Sequence, residues 1–176
     1  RNVLGIIMKL TALALALVAS ALAASPAMAQ GAAIDRTAVI DTIDDATLKA
    51  AIAAIGGTTT PLDDEDNTLR IAYPNGMRGV ARRMACTGKD ACKGLILLGY
   101  FSQPSDVPEE RAQDALARFG FEQVISSVVV NQEGEHVVKT YVKLDGGIKQ
   151  ANLINWIGLF GQSLAAYQGM PYGPGG

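Results

Sequence analysis

The side chains in this sequence that could do chemistry are two cysteines, one histidine, a run of carboxylates and a group of arginines. Cys86 and Cys92 flank Thr-Gly-Lys-Asp-Ala, a five-residue spacing unlike the two-residue spacing of a redox motif. Cysteines on either side of a tight turn face each other across antiparallel strands, where Cα atoms lie about 4.5–5.5 Å apart and a disulfide can bridge them. The pair therefore reads as a structural disulfide. With one histidine in the chain, a zinc site lacks ligands. His136 stands at a turn edge with no serine or cysteine nucleophile motif near it, so a surface histidine is expected. Asp63-Asp64-Glu65-Asp66-Asn67 invites a calcium reading, but the central Gly and distal bidentate Glu of a hand-type loop are missing, and a solvated turn is expected instead.

The arginines Arg78, Arg82 and Arg83 fall in one predicted strand, Met77 to Cys86. The two-residue period places Arg78 and Arg82 on one face and Arg83 on the other. They offer an anion-binding or acidic-partner patch, although solvated charges that discourage edge pairing explain them more simply. The sequence contains no Gly-x-Ser-x-Gly, no His-rich metal motif and no phosphate loop. No catalytic residue, metal or cofactor is expected.

These residues need elements to position them, and Met84 to Phe101 organises the rest. Leu95 to Leu98 is apolar at four successive positions, the pattern of a central strand buried on both faces, at the end of a stapled hairpin. Thr58 to Leu62 and Thr68 to Tyr73 read as preceding strands, with turns after each. Pro108 suits the first position of a helix running to Arg118, with Glu109 and Glu110 in its first turn and Gly120 ending it. Val124 to Val130 and His136 to Leu144 form a second hairpin around Gly134. In its second strand Val138, Thr140, Val142 and Leu144 face a core, while Lys139, Tyr141 and Lys143 face water. The last helix spans about Lys149 to Gln168 with Leu153, Trp156, Ile157, Phe160, Leu164 and Tyr167 on one stripe, and Gly158 and Gly161 allow close approach of another element.

Before these, Thr37 to Ile55 is mostly helical by pattern, or a shorter helix begins at Ala46 with Asp44 or Asp45 as its cap. Residues 8–29 have the layout of a secretory signal peptide: a basic start at Met8-Lys9, an apolar run from Leu10 to Leu22, and Ala27-Met28-Ala29 as the cleavage site. The apolar run is short for a membrane anchor, so no stable anchor is expected. Residues 1–7 read as a mis-assigned upstream start. Residues 30–45 form an arm and the start of the first helix, 46–168 the domain, and 169–176 a disordered Gly/Pro tail.

Export to the periplasm or beyond, with cleavage after Ala29, favours the disulfide. Removing residues 1–29 takes out Arg1 and Lys9 and leaves 13 basic against 17 acidic side chains. Such mild acidity gives no reason to expect nucleic acid as a partner. The order of elements, α-ββββ-α-ββ-α, predicts an α+β domain with an antiparallel sheet and helices packed on one side.

Several of these motifs resemble bacterial YbjN-domain proteins: the Cys86…Cys92 hairpin leading to Tyr100-Phe101, the Val124 to Leu144 hairpin, the Gly146-Gly147-Ile148 break, and the terminal helix containing Trp156. The likeness covers roughly residues 46–167. It implies a fold similar to type III secretion chaperones and a sensory-transduction regulator role, and supplies no catalytic residues. The family's Asn/Trp-Asn element before the second hairpin is replaced here by Leu116-Ala117-Arg118-Phe119-Gly120-Phe121, so no role resting on it carries over. The favoured reading is a non-enzymatic binding or accessory module acting on a protein or peptide partner through a sheet face or helix groove, with Arg78, Arg82, Arg83 and Trp156 as candidate contacts. The alternatives are a self-associating structural or envelope-stress protein, using a Trp156 stripe to form a homodimer, and a small periplasmic enzyme.

Overall fold

The computed structural model describes residues 34–62, 66–88, 90–102 and 105–170. The expected signal peptide, the upstream residues 1–7, Asp63 to Glu65 and the end of the tail (171–176) lie outside that range. Among the described residues the elements run β1 (Val39–Ile40), α1 (Asp45–Ala53), β2 (Thr58–Pro61), β3 (Thr68–Ala72), β4 (Arg78–Thr87), β5 (Ala91–Phe101), α2 (Glu109–Glu122), β6 (Ser127–Val130), β7 (His136–Lys143), β8 (Ile148–Lys149) and α3 (Gln150–Gly169). Strands β2 to β7 form one sheet in the order β2-β3-β4-β5-β7-β6, antiparallel throughout, and β1 pairs with β8 separately. The fold is α+β. No helix among the described residues is long and apolar enough to cross a membrane.

The helices cover one face of the sheet. Its inward side chains include Leu69 and Ile71 on β3, Ala81 on β4, Leu95 and Leu97 on β5, and Val138 and Val142 on β7. Against them α3 sets Leu153, Ile157, Phe160, Leu164 and Tyr167, and α1 sets Leu48 and Ile52. Close approach depends on glycine. A Cβ at Gly161 would lie 2.5 Å from Tyr73 Cδ1, and one at Gly99 would run into Leu164. On β5, Ile96 and Leu98 are only half-buried, on the face that no helix of the described residues covers. The expectation of a strand buried on both sides is thus half met.

The first helix begins later than the apolar spacing over Thr37 to Ile55 suggests. Asp44 caps it by accepting from the Thr47 backbone N–H at 2.7 Å, an interaction worth about 1 kcal/mol. That N–H and the Thr47 hydroxyl hold the Asp44 carboxyl below its usual range. Val39 and Ile40 are extended because the chain around them pairs with the start of α3. There the Ala38 and Arg36 carbonyls accept the Gln150 and Ala151 N–H groups at 2.8 and 3.0 Å. Those are amide donors that the start of α3 would otherwise leave unpaired. Ile43 also exchanges backbone hydrogen bonds with Cys92.

Four other boundaries differ from expectation. Pro108 is the cap of α2 and not its first residue, and the helix passes through Gly120 to Glu122. Phe119, fully buried edge-on against Tyr167, holds this last turn in place. Strand β6 starts at Ser127 and not Val124, since Thr140 Oγ1 captures the Ile125 carbonyl at 2.7 Å and meets Ser126 Oγ at 2.8 Å in place of a ladder. At the chain's end, Gly169 completes α3 and does not open the tail.

Candidate functional site

Cys86 and Cys92 are directly opposite in the β4–β5 register and joined by a disulfide, with Cα atoms 3.8 Å apart. Cys92 is fully buried in the core, so the bond is a structural staple at the far end of the hairpin.

His136 is not on the surface. It begins β7 on the helix-covered face, 3% exposed, and Nδ1 hydrogen-bonds the Tyr167 hydroxyl. The β-strand period that places Val138 and Thr140 inward carries His136 inward with them. Burial pushes the imidazole below its usual range and the Tyr167 phenol up to about 12. Phe101 and Phe119 pack edge-on around the same Tyr167 ring.

The three arginines separate as the strand period requires, but none protects an edge, because β4 lies inside the sheet. Arg83 is 6% exposed on the helix side. Its Nη2 approaches Asp45 Oδ1 at 3.9 Å and the Asp66 carbonyl at 3.4 Å, tying α1 to the turn before β3. It is a structural residue. Trp156 is half-buried and packs on the core, so it forms no exposed stripe. Among the described residues no three His, Cys, Asp or Glu side chains group closely enough to hold a metal ion.

Arg78 and Arg82 belong to a larger surface. Both are exposed on the face that no helix of the described residues covers, and Arg82 Nε donates to Thr68 Oγ1 at 3.3 Å. The pairing register sets them beside β5 and β7. Arg70 is opposite Val80, Val80 opposite Leu98, and Leu98 opposite Lys139; Arg82 is opposite Ile96, and Ile96 opposite Tyr141; Met84 is opposite Gly94, and Gly94 opposite Lys143. Arg78, two residues from Val80, is level with Tyr100. Along β5 this face is apolar: Gly94, Ile96, Leu98 and the half-exposed Tyr100. Tyr141 leans across the stripe onto Gly94, where a Cβ would lie 2.8 Å from its Cζ. The nearest described carboxylate contact is at the rim, where Asp145 sits 3.8 Å from Lys143 and 3.5 Å from Lys93.

Sequence reasoning finds Arg78 and Arg82 but not Arg70, Lys139, Lys143 and the two tyrosines as their neighbours. A signal is present. None of the residues in β2 to β7 is Asp or Glu, although the chain has 17 acidic side chains. The acids all fall outside these strands. The strands therefore give the sheet's outer face positive charge alone, on a protein of net negative charge.

No protein-family model matches the chain, and no curated protein sequence matches it. The resemblance to YbjN-domain proteins thus rests on the motifs themselves. Among solved structures the chain is similar to a chain of the HopA1-SchA chaperone-effector complex, with a TM-score of 0.49 and 11% identity, covering 72% of this chain and 91% of that one.

Proposed function

We propose that this chain is a non-enzymatic, exported binding or accessory protein of the YbjN type that engages a protein or peptide partner on the open face of its sheet. One observation carries the reading: an apolar and aromatic stripe on β5, covered by no helix of the described residues, is bordered on both sides by basic side chains and by no acidic strand residue. Exposed apolar area rimmed by charge of one sign is a surface suited to association. A binding role fits the state of the most reactive side chains. Both cysteines form the disulfide, and the only histidine is engaged with Tyr167 inside the core. Export fits that disulfide, which persists in an oxidising compartment. A regulatory role of the kind the YbjN resemblance implies is then exerted through the bound partner.

The test is site-specific photocrosslinking in the cell of origin. A benzophenone side chain at Tyr100 is expected to capture a partner that the same probe at Leu159, exposed on α3, does not. Capture at Tyr100 is expected to fall with Arg78→Glu. Equal capture at both sites, or none at Tyr100, overturns the reading.

A second reading, self-association, is favoured by one feature on the helix side. Phe121 and Val124 are 93% and 97% exposed, and Val124 borders a depression shared with Leu159. Nearly bare apolar side chains beside a surface depression suit a second copy of the chain.

A further inference from the structure

The binding face has a shape and charge pattern that select what lies on it. Resting on the reading above, we propose that the partner segment is an acidic amphipathic α-helix of about 13 residues, laid along β5 with its apolar side down and carboxylates along both flanks.

Backbone hydrogen bonding sets the conformation. In the middle of the sheet every strand is paired on both sides, so the face presents no free N–H or C=O row to an extended peptide. Strand addition takes place at edges, here β2 and β6. A segment resting on the face must satisfy its own backbone groups, and a helix does so.

Dimensions agree. Neighbouring strands are about 4.8 Å apart, so the β4 and β7 side chains bracket β5 at a separation of about 10 Å. A helix with its side chains is about 10–12 Å across. Gly94 to Tyr100 extends about 20 Å along the strand, which a helix covers with about 13 residues.

Charge then picks the sequence class. Moving along β5, cations flank the stripe on both sides: Arg78 on β4 beside Tyr100, and Lys139 and Lys143 on β7 beside Leu98 and Gly94. The step of two residues from Tyr100 to Leu98, about 6.6 Å, is close to the 5.4 Å helical pitch. Carboxylates on both flanks of a helix thus meet cations on both sides of the stripe. A basic or neutral helix burying the same apolar stripe would bring no carboxylate to these cations. Single-stranded nucleic acid fits less well. Tyr141 is laid down over Gly94, and Tyr100 is four residues along β5 from the level of Tyr141, about 13 Å, too far for successive bases to stack on both.

The experiment measures fluorescence anisotropy with the purified protein and labelled synthetic helices. One peptide carries Leu at helical spacing with Glu on both flanks, and its twin has Lys at every Glu position. The expected result is at least tenfold tighter binding of the Glu peptide, weakened by 0.5 M salt, with its helicity rising on binding. In an Arg78→Glu/Lys143→Glu variant with unchanged circular dichroism, the preference is expected to shift toward the Lys peptide. Equal binding of the twins, binding of neither, or tighter binding to oligothymidine or to phosphatidylglycerol vesicles overturns the proposal. Its failure is separable from that of the binding reading. A partner captured at Tyr100 through a segment lacking carboxylates sinks the acidic helix and keeps the binding face, whereas no capture at Tyr100 removes both.

Discussion

The ring of Tyr73 rests directly on Gly161. The glycine has no side chain to hold it off, and Asn75 beside it donates from Nδ2 to the Gly161 carbonyl at 2.8 Å. The end of β3 and the middle of α3 are locked together at this point. A methyl group there must displace a buried aromatic ring, an overpacking cost of about 1–3 kcal/mol against a helix-propensity gain of about 1 kcal/mol. Gly161→Ala is expected to destabilise, while Gly158→Ala, whose Cβ would meet only Ile55 at 3.6 Å, is expected to stabilise by roughly 0.5–1 kcal/mol. Urea unfolding of the two variants gives opposite shifts in midpoint if this is right.

The buried His136 makes stability depend on pH. Its folded-state pKa lies below the unfolded value because burial penalises the imidazolium. The unfolded chain therefore binds the proton more readily, and stability present above the unfolded value of about 6.5 is lost as pH falls through the folded value. Unfolding free energy measured from pH 8 to pH 5 is expected to decline below about pH 6.5, with a shallower decline in His136→Asn. Tyr167→Phe, which leaves Nδ1 without its hydroxyl partner, is expected to cost about 1–3 kcal/mol at pH 8.

Removing the staple is expected to weaken the fold without dissolving it. Cys86→Ser/Cys92→Ser opens a loop of seven residues, for which chain entropy gives about 2–2.5 kcal/mol. The Ile43 bridge holds Cys92 from its other side and limits the local damage. Thermal unfolding with and without reductant is expected to show the wild-type protein falling to the variant's midpoint, and no change in the variant.

Two arginines of β4 are expected to behave as opposites. Arg83→Ala removes a buried guanidinium and its contacts to Asp45 and Asp66, at about 1–3 kcal/mol. Arg78→Ala, fully on the outer face, is expected to stay within about 0.5 kcal/mol of wild type. A partner-binding assay reverses the order, with Arg78 mattering and Arg83 not.

Self-association has its own measure. If Phe121 and Val124 seat a second copy, light scattering gives a concentration-dependent dimer that Val124→Asp converts to monomer. A monomer at every concentration excludes that surface.

Much of the fold is legible from local chemistry. The β4–β5 hairpin, the one-sided pattern of β7 and the buried stripe of α3 follow from spacing that only one element type satisfies. The errors lie where a distant partner decides. Val39 and Ile40 suit a helix as well as a strand until the start of α3 needs the nearby carbonyls. Gly120 is a plausible stop until Phe119 is seen against Tyr167. The turn beside His136 suggests a surface residue, although the parity that sends Val138 inward sends His136 inward too. The outer face is half legible. Arg78 and Arg82 are visible as a pair in one strand, but Lys139 and Lys143 join them only through the β5–β7 register, which no local pattern specifies.

The place of β5 also orders assembly. Its pairing with β4 closes over a short turn, whereas its pairing with β7 must wait for a stretch of chain that includes α2 and β6. Contacts near in sequence form sooner, because closing a longer loop costs more entropy. Until β7 arrives, Leu95 to Leu98 is an uncovered edge, uncharged and wholly apolar, the kind of segment that seeds aggregation. The interval between hairpin formation and the docking of β7 is when a folding chain has most need of protection, and mutations that slow that docking act on yield before they act on stability.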